Sequence, residues 1–126
     1  MLRRFNTGYE DGKYTLVAGH VEDGESFVDC IIREADEEAG ITLRRENLTM
    51  AHIVHRLANP VEQADRIDVF FVADKWEREP HNKEPHKCDD LSWFDRDNLP
   101  ENMLPYVKQA IECVEQGIVY SEFGYA

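Results

Sequence analysis

Apolar residues recur at helical spacing after Ser26, where Val28, Ile31, Ile32, Ala35 and Ala39 line one stripe. That period predicts a helix running to about Ala39. Ser26 is placed as its N-cap, Asp29 three residues on echoes a capping box, and Gly40 supplies the stop. Before it, Tyr14 to Ala18 (YTLVA) is β-prone and runs into a loop over Gly19–Gly24. Beyond it, Leu48–Leu57 and Arg66–Trp76 read as two longer strands. Their connection, ANPVEQAD, carries Asn-Pro turn chemistry. A polar stretch, EREPHNKEPHKCDD, leads into a short strand at LSWF (91–94), and DRDNLPE is a turn. Pro105 opens a second helix through Gln116, with Val107, Ala110, Ile111 and Val114 inward and Gly117 as terminator. The tail, IVYSEFGYA, is aromatic and without clear periodicity. The order strand, helix, strands, helix predicts one domain over residues 1–126, a mixed α/β (α+β) sandwich with a helix on the sheet.

The polar face of the first helix changes this picture. Glu34, Glu37 and Glu38 stand three and four residues apart, which puts their carboxylates side by side. Like charges at that spacing destabilise a helix by roughly 0.2–0.5 kcal/mol per pair, so a use is expected, and holding a divalent cation through oxygen ligands is the commonest. The whole chain is acidic, with a formal net charge of −12. Such a surface repels a phosphate backbone, so a nucleic-acid polymer is not an expected partner. A small phosphorylated ligand remains compatible once metal ions screen the repulsion. No apolar run is long enough to span a bilayer, and MLRRFNTGYEDG lacks the apolar segment of a secretory signal. Cys30, Cys88 and Cys113, with no CxxC, read as reduced thiols of a cytoplasmic protein.

Gly19 to Ile41 reads GHVEDGESFVDCIIREADEEAGI. Gly19, Glu25, Arg33, Glu34, Glu37, Glu38 and Gly40 occupy every fixed position of the Nudix box, G-x5-E-x7-R-E-U-x-E-E-x-G-U, with Ala35 and Ile41 at the aliphatic positions U. At roughly one-in-fifteen odds per position, seven matches have a chance on the order of one in a hundred million, which sets aside a merely solvated acidic face. Physical chemistry accounts for the same residues. Glu34 and Glu38 lie one turn apart and can share a metal shell. Arg33 can pair with Glu25 or Glu37, and Gly19 and Gly40 let the backbone turn at either end.

The chain thus resembles the Nudix hydrolases, most closely the MutT-like nucleoside triphosphate pyrophosphohydrolases, whose Trp-Glu, Glu-Pro and Lys-Glu spacing recurs in WEREPHNKE (76–84). The resemblance implies a Nudix-type α/β/α sandwich with a mixed sheet. It implies hydrolysis of a nucleoside diphosphate linked to another group, with a nucleoside triphosphate as the favoured substrate. The cofactor it implies is Mg²⁺, with Mn²⁺ as a substitute. Glu34 would activate water, sharing base and ligand roles; Glu37, Glu38, Glu84 and the carbonyl of Ala18 would hold metal; Arg33 would hold the acids in place. Arg4 and Gly19 would meet substrate. Asn102 joins them from beside the place of a base-reading Asn, which Met103 fills here, while Val17-Ala18 replaces the usual Pro-Gly. Only eighteen residues precede Gly19, so the resemblance implies a shortened N-terminal region, an open sheet edge and a homodimer covering it. The same fold hosts hydrolysis of ADP-ribose or dinucleoside polyphosphates, prenyl diphosphate isomerisation, and non-catalytic nucleotide sensing.

Three other groups carry less. His52 and His55 fall on opposite faces of a strand. His81, His86 and Cys88 lack the second Cys pair of a zinc site. Phe70, Phe71, Trp76 and Trp93 are expected in the core.

Overall fold

The computed structural model describes residues 1–125. Among the described residues the fold is mixed α+β, with two three-stranded sheets and two α-helices. Two compact units share the chain: Met1–Leu48 with Ala73–Leu104, and Thr49–Val72 with the chain from Pro105 on.

In the first unit, β1 (Leu2–Arg4) lies between β2 (Tyr14–Thr15) and the strand Cys88–Leu91, antiparallel to both. In the second, β3 (Leu48–Arg56) lies between β4 (Arg66–Ala73) and the strand Tyr120–Phe123, which runs parallel to β3. In chain order these later strands are β5 (Cys88–Leu91) and β6 (Tyr120–Phe123). The helices are α1 (Phe27–Ala39) in the first unit and α2 (Pro105–Glu115) in the second.

Helix α1 starts and stops where its capping residues dictate. The Ser26 side chain accepts from the Asp29 N–H at 3.0 Å, satisfying a donor that the first turn leaves free. Gly40 adopts the left-handed conformation (φ 66°), and its N–H reaches the carbonyls of Ala35 and Asp36. Cys30, Ala35 and Ala39 are buried, with Val28, Ile31 and Ile32 half-buried beside them. In α2, Val107 and Ala110 are buried, and Ile111 and Val114 are half-buried.

Four expectations need correction. The strand placed at LSWF lies earlier, at Cys88–Leu91, because those residues are the ones set opposite Leu2–Arg4. The strands expected over Tyr14–Ala18 and Arg66–Trp76 end at Thr15 and Ala73. The tail holds β6, a four-residue strand alternating exposed and half-buried residues, too short to stand out as a period; Ala126 lies outside the described residues. Trp76 and Trp93 are not core: they are 42% and 70% exposed and stack on each other with ring centroids 5.6 Å apart. Phe70 and Phe71 are half-buried.

Within the second unit, a buried polar group joins β3 to its surroundings. His52 shares hydrogen bonds with the Ile118 carbonyl (2.6 Å) and the Ser121 hydroxyl (2.8 Å), and His55 packs on Tyr125 instead. Arg56 pairs with Asp68 and with Glu62 (2.8 Å), and lies 4.0 Å above the Tyr106 ring. The 58–65 connection is built as its Asn-Pro pair suggests, the Asn59 side chain accepting from the Val61 and Glu62 N–H groups.

Loss of the α1 cap has a definite expected size. Ser26→Ala should destabilise the protein by about 1 kcal/mol, read as a lower midpoint in urea at unchanged slope; an unchanged midpoint would remove the cap from the account of α1.

Candidate active site

The acidic stretch of α1 is organised by one cation. Arg33 forks onto Glu25, its Nε to Oε2 at 2.7 Å and its Nη2 to Oε1 at 3.0 Å. Its Nη1 donates to Glu34 at 2.7 Å and to Glu37 at 3.2 Å, and Nη2 also reaches the His20 carbonyl at 3.2 Å. The loop and the helix are therefore tied through a single guanidinium. Both open pairings of Arg33 are realised at once. The Arg33 charge and the Glu22 N–H hold the Glu25 carboxyl down at about 2, against an ordinary 4.5. The surrounding carboxylates in turn raise the Arg33 guanidinium above its already high range.

Glu34 and Glu38 form the inner pair. Both are half-buried, whereas Glu37 is exposed and turned to Arg33. Glu38 receives the Ala18 N–H at 3.2 Å, so Ala18 meets the site through its amide. Burial first, and then the Glu34 carboxyl bonded to it, push Glu38 well above the usual carboxylate range; Glu84 adds further repulsion. Gly19 lies directly against Glu34. A Cβ on Gly19 would overlap the Glu34 side chain, so a larger residue there would displace that carboxyl. The Cys30 thiol, buried beneath the loop, points to the Gly19 carbonyl at 3.8 Å, and desolvation raises its pKa.

Glu84 is delivered by the loop after β4. The His81 N–H donates to the Ala39 carbonyl at 2.9 Å and the Lys83 N–H to the Glu38 carbonyl at 3.3 Å, capping the end of α1. Asn82 shapes the turn, accepting from the Glu84 N–H at 3.0 Å and donating to the Cys88 carbonyl at 2.7 Å. A Cβ on Gly40 would overlap the His81 ring, so this second box glycine also makes room for a neighbour. No sequence signal pointed to His81 as that neighbour.

Arg4, at the end of β1, and Asn102, just before Met103, both bond to the loop between β1 and β2. Arg4 donates to the Tyr9 carbonyl (2.7 Å) and the Thr7 hydroxyl (3.0 Å), and its guanidinium lies over the Tyr9 ring. Asn102 donates to the Gly12 carbonyl at 2.8 Å and accepts the Tyr14 N–H at 2.8 Å. Asp11 closes the loop from inside, accepting from the Thr7 and Gly8 N–H groups and the Thr7 hydroxyl. Met103 is buried and bridges to Tyr14.

Residues 1–115 match the NUDIX domain. The chain belongs to the NUDIX domain family. An NAD-capped RNA hydrolase NudC of Vibrio vulnificus is 33% identical over 94 residues, covering 73% of this chain and 32% of that protein. The NudC of Vibrio parahaemolyticus is 28% identical over 110 residues, covering 87% of this chain and 39% of that protein. The chain thus spans about a third of the length of the curated relatives it matches. A MutT NUDIX hydrolase from Burkholderia pseudomallei has the same fold at a TM-score of 0.78 and 27% identity, over 88% of this chain and 83% of that one.

The Nudix carboxylates fit a hard divalent cation. A half-buried carboxyl whose pKa is raised by desolvation and then by a second carboxyl, with a third acid nearby, is an oxygen-donor set short of positive charge. Among the described residues no three His, Cys, Asp or Glu side chains form a ready-made metal cage. Mg²⁺ keeps several waters and is bound through one or two carboxylates together with substrate phosphates. No helix among the described residues is long and apolar enough to cross a membrane.

The Glu25–Arg33 fork carries a pH signature. Because folding lowers the Glu25 pKa, its stabilisation is complete above about pH 4.5 and is lost as the pH falls toward about 2. Glu25→Gln should therefore lower the melting midpoint by a few degrees at pH 7, with the gap from wild type closing between pH 4.5 and 2. Melting curves at several pH values check this, and a gap constant with pH would count against the fork.

Proposed function

We propose that this Nudix chain, as one domain over residues 1–126, hydrolyses the phosphoric anhydride of a nucleoside diphosphate joined to another group. The favoured class is a nucleoside triphosphate, which with one water gives a nucleoside monophosphate and pyrophosphate. The observation that carries the reading is the half-buried Glu38 carboxyl, bonded to the Ala18 N–H, beside a Glu34 carboxyl that lies against the Gly19 backbone. The choice of a triphosphate follows from the MutT-like spacing of WEREPHNKE (76–84).

Each residue has a role that its surroundings suit. Glu34 takes the proton of the attacking water, in hydrogen-bond reach of Arg33 for reorientation. Glu38 and Glu84 are the metal donors, joined by the Ala18 carbonyl and, once it leaves Arg33, by Glu37. Bound Mg²⁺ or Mn²⁺ supplies polarisation of the phosphate oxygens and a lower pKa for water. Arg33 keeps the acids apart and oriented. Gly19 leaves room for the Glu34 carboxyl to lie against the loop backbone. Arg4, which donates to the Tyr9 carbonyl and the Thr7 hydroxyl, is the candidate phosphate contact, and Asn102 holds the same loop. The free thiols of Cys30, Cys88 and Cys113 suit a reducing, cytoplasmic setting. Assembly as a homodimer is part of the same proposal; a monomeric mass at high dilution with activity retained would remove it.

The NudC relatives favour a second substrate reading, a dinucleotide pyrophosphate of the NAD type. The charge of −12 opposes an attached RNA body, so the small dinucleotide is the form to test. A panel of nucleoside triphosphates, NAD-like dinucleotides and ADP-ribose, each with Mg²⁺ and with Mn²⁺, separates the readings by released phosphate products. Glu38→Gln should reduce turnover by about 100-fold or more while circular dichroism stays unchanged. Nucleotide binding without any hydrolysis by the wild type would make this a sensor.

A further inference from the structure

Asp36 stands two residues from both Glu34 and Glu38, so a rotation of about 200° sends it to the far side of α1. It occupies a variable position of the box, yet it is not idle. Arg78 Nη2 donates to its Oδ1 at 2.6 Å, and Lys83 Nζ approaches the same oxygen at 3.8 Å. Arg78 also donates from Nε to the Thr42 hydroxyl at 3.1 Å. Thr42 and Glu77 exchange backbone hydrogen bonds at 3.0 Å each way. Arg78 itself is left-handed (φ 71°), a conformation that side-chain-bearing residues avoid. Exposed ion pairs are weak singly, but here one guanidinium holds a disfavoured backbone turn at two points.

The turn leads directly to Glu84. Arg78, His81 and Lys83 attach successive points of this segment to α1 and its end, and the Lys83 N–H bonds the carbonyl of Glu38 itself. We propose that Asp36, acting through Arg78, is a positioning residue that sets Glu84 against Glu34 and Glu38. This rests on the reading of Glu84 as a metal donor under the proposed function. It explains why the loop carries two cations toward a helix face that has no part in the chemistry. Its signature is that Asp36 matters only while Glu84 is present.

Free Mn²⁺ followed by electron paramagnetic resonance gives a binding constant without turnover. Asp36→Ala and Glu84→Gln should each weaken Mn²⁺ binding by about tenfold, the low end for groups that orient metal donors. The double variant should be no weaker than Glu84→Gln by more than about twofold, because coupled residues do not add. The charge-exchanged pair Asp36→Arg with Arg78→Asp should recover most of the affinity, since Asp tolerates a left-handed backbone. Hydrogen exchange over residues 78–87 should quicken in Asp36→Ala and return toward wild type in the exchanged pair. Unchanged Mn²⁺ affinity in Asp36→Ala or in Glu84→Gln, or fully multiplicative losses in the double variant, would overturn the proposal. A wild type that binds Mn²⁺ with this pattern but hydrolyses no nucleotide would instead overturn the proposed function and leave the positioning role standing.

Discussion

The N–H donors of Arg33 are distributed over Glu25, Glu34, Glu37 and the His20 carbonyl, and the arrangement of the first unit's acids depends on that distribution. Eight acidic side chains occupy the stretch from Gly19 to Ile41. Left to themselves, acids a turn apart would splay from one another and loosen the helix. A planar fork with fixed donor directions answers this better than a flexible ammonium would, since it meets Glu25 with two parallel bonds and still has an edge for the helix acids. The cation relieves the outer acids and leaves the inner one under strain. Glu38 has burial, Glu34 and Glu84 acting against its charge, and only an amide acting for it. Electrostatic tension is thus concentrated at one carboxyl.

Backbone shape serves the same end. The two box glycines are places where another residue's side chain fills the volume a Cβ would take, Glu34 at Gly19 and His81 at Gly40. At Gly19 the consequence is chemical, because the Glu34 carboxyl is brought against the backbone of the loop. At Gly40 it is architectural: the helix ends, and the loop carrying Glu84 closes over the end.

Much of this was legible in the sequence, for reasons particular to each element. Helix α1 announced itself through period, cap and stop, all local features. Arg33 could be seen to need partners, though not that it would take Glu25, Glu34 and Glu37 together. The β1 and β6 strands were not legible, being three and four residues long and defined by neighbours far along the chain. The roles of Arg78 and Asp36 were invisible for a related reason: they are separated by 42 residues, and neither stands at a position of the box pattern. Arg4 and Asn102 were marked by alignment with a family, and the structure adds what alignment lacked, their joint hold on the β1–β2 loop. The tryptophans went astray because apolar area was equated with burial, whereas much of a folded protein's surface is apolar and Trp93 stays 70% exposed even beside Trp76.

That stacked pair has a spectroscopic consequence. The chain has two tryptophans, Trp76 and Trp93, and both belong to the first unit. Indole emission therefore follows the unit that carries the acidic site and is silent on the other. Tyr106, Tyr120 and Tyr125 belong to the second unit, as does α2, so far-ultraviolet dichroism registers both. Comparing the two signals during unfolding asks whether a chain with two compact units melts as one cooperative body, since coincident transitions are the mark of two-state behaviour. The optical asymmetry is built into the native sequence, with no label required.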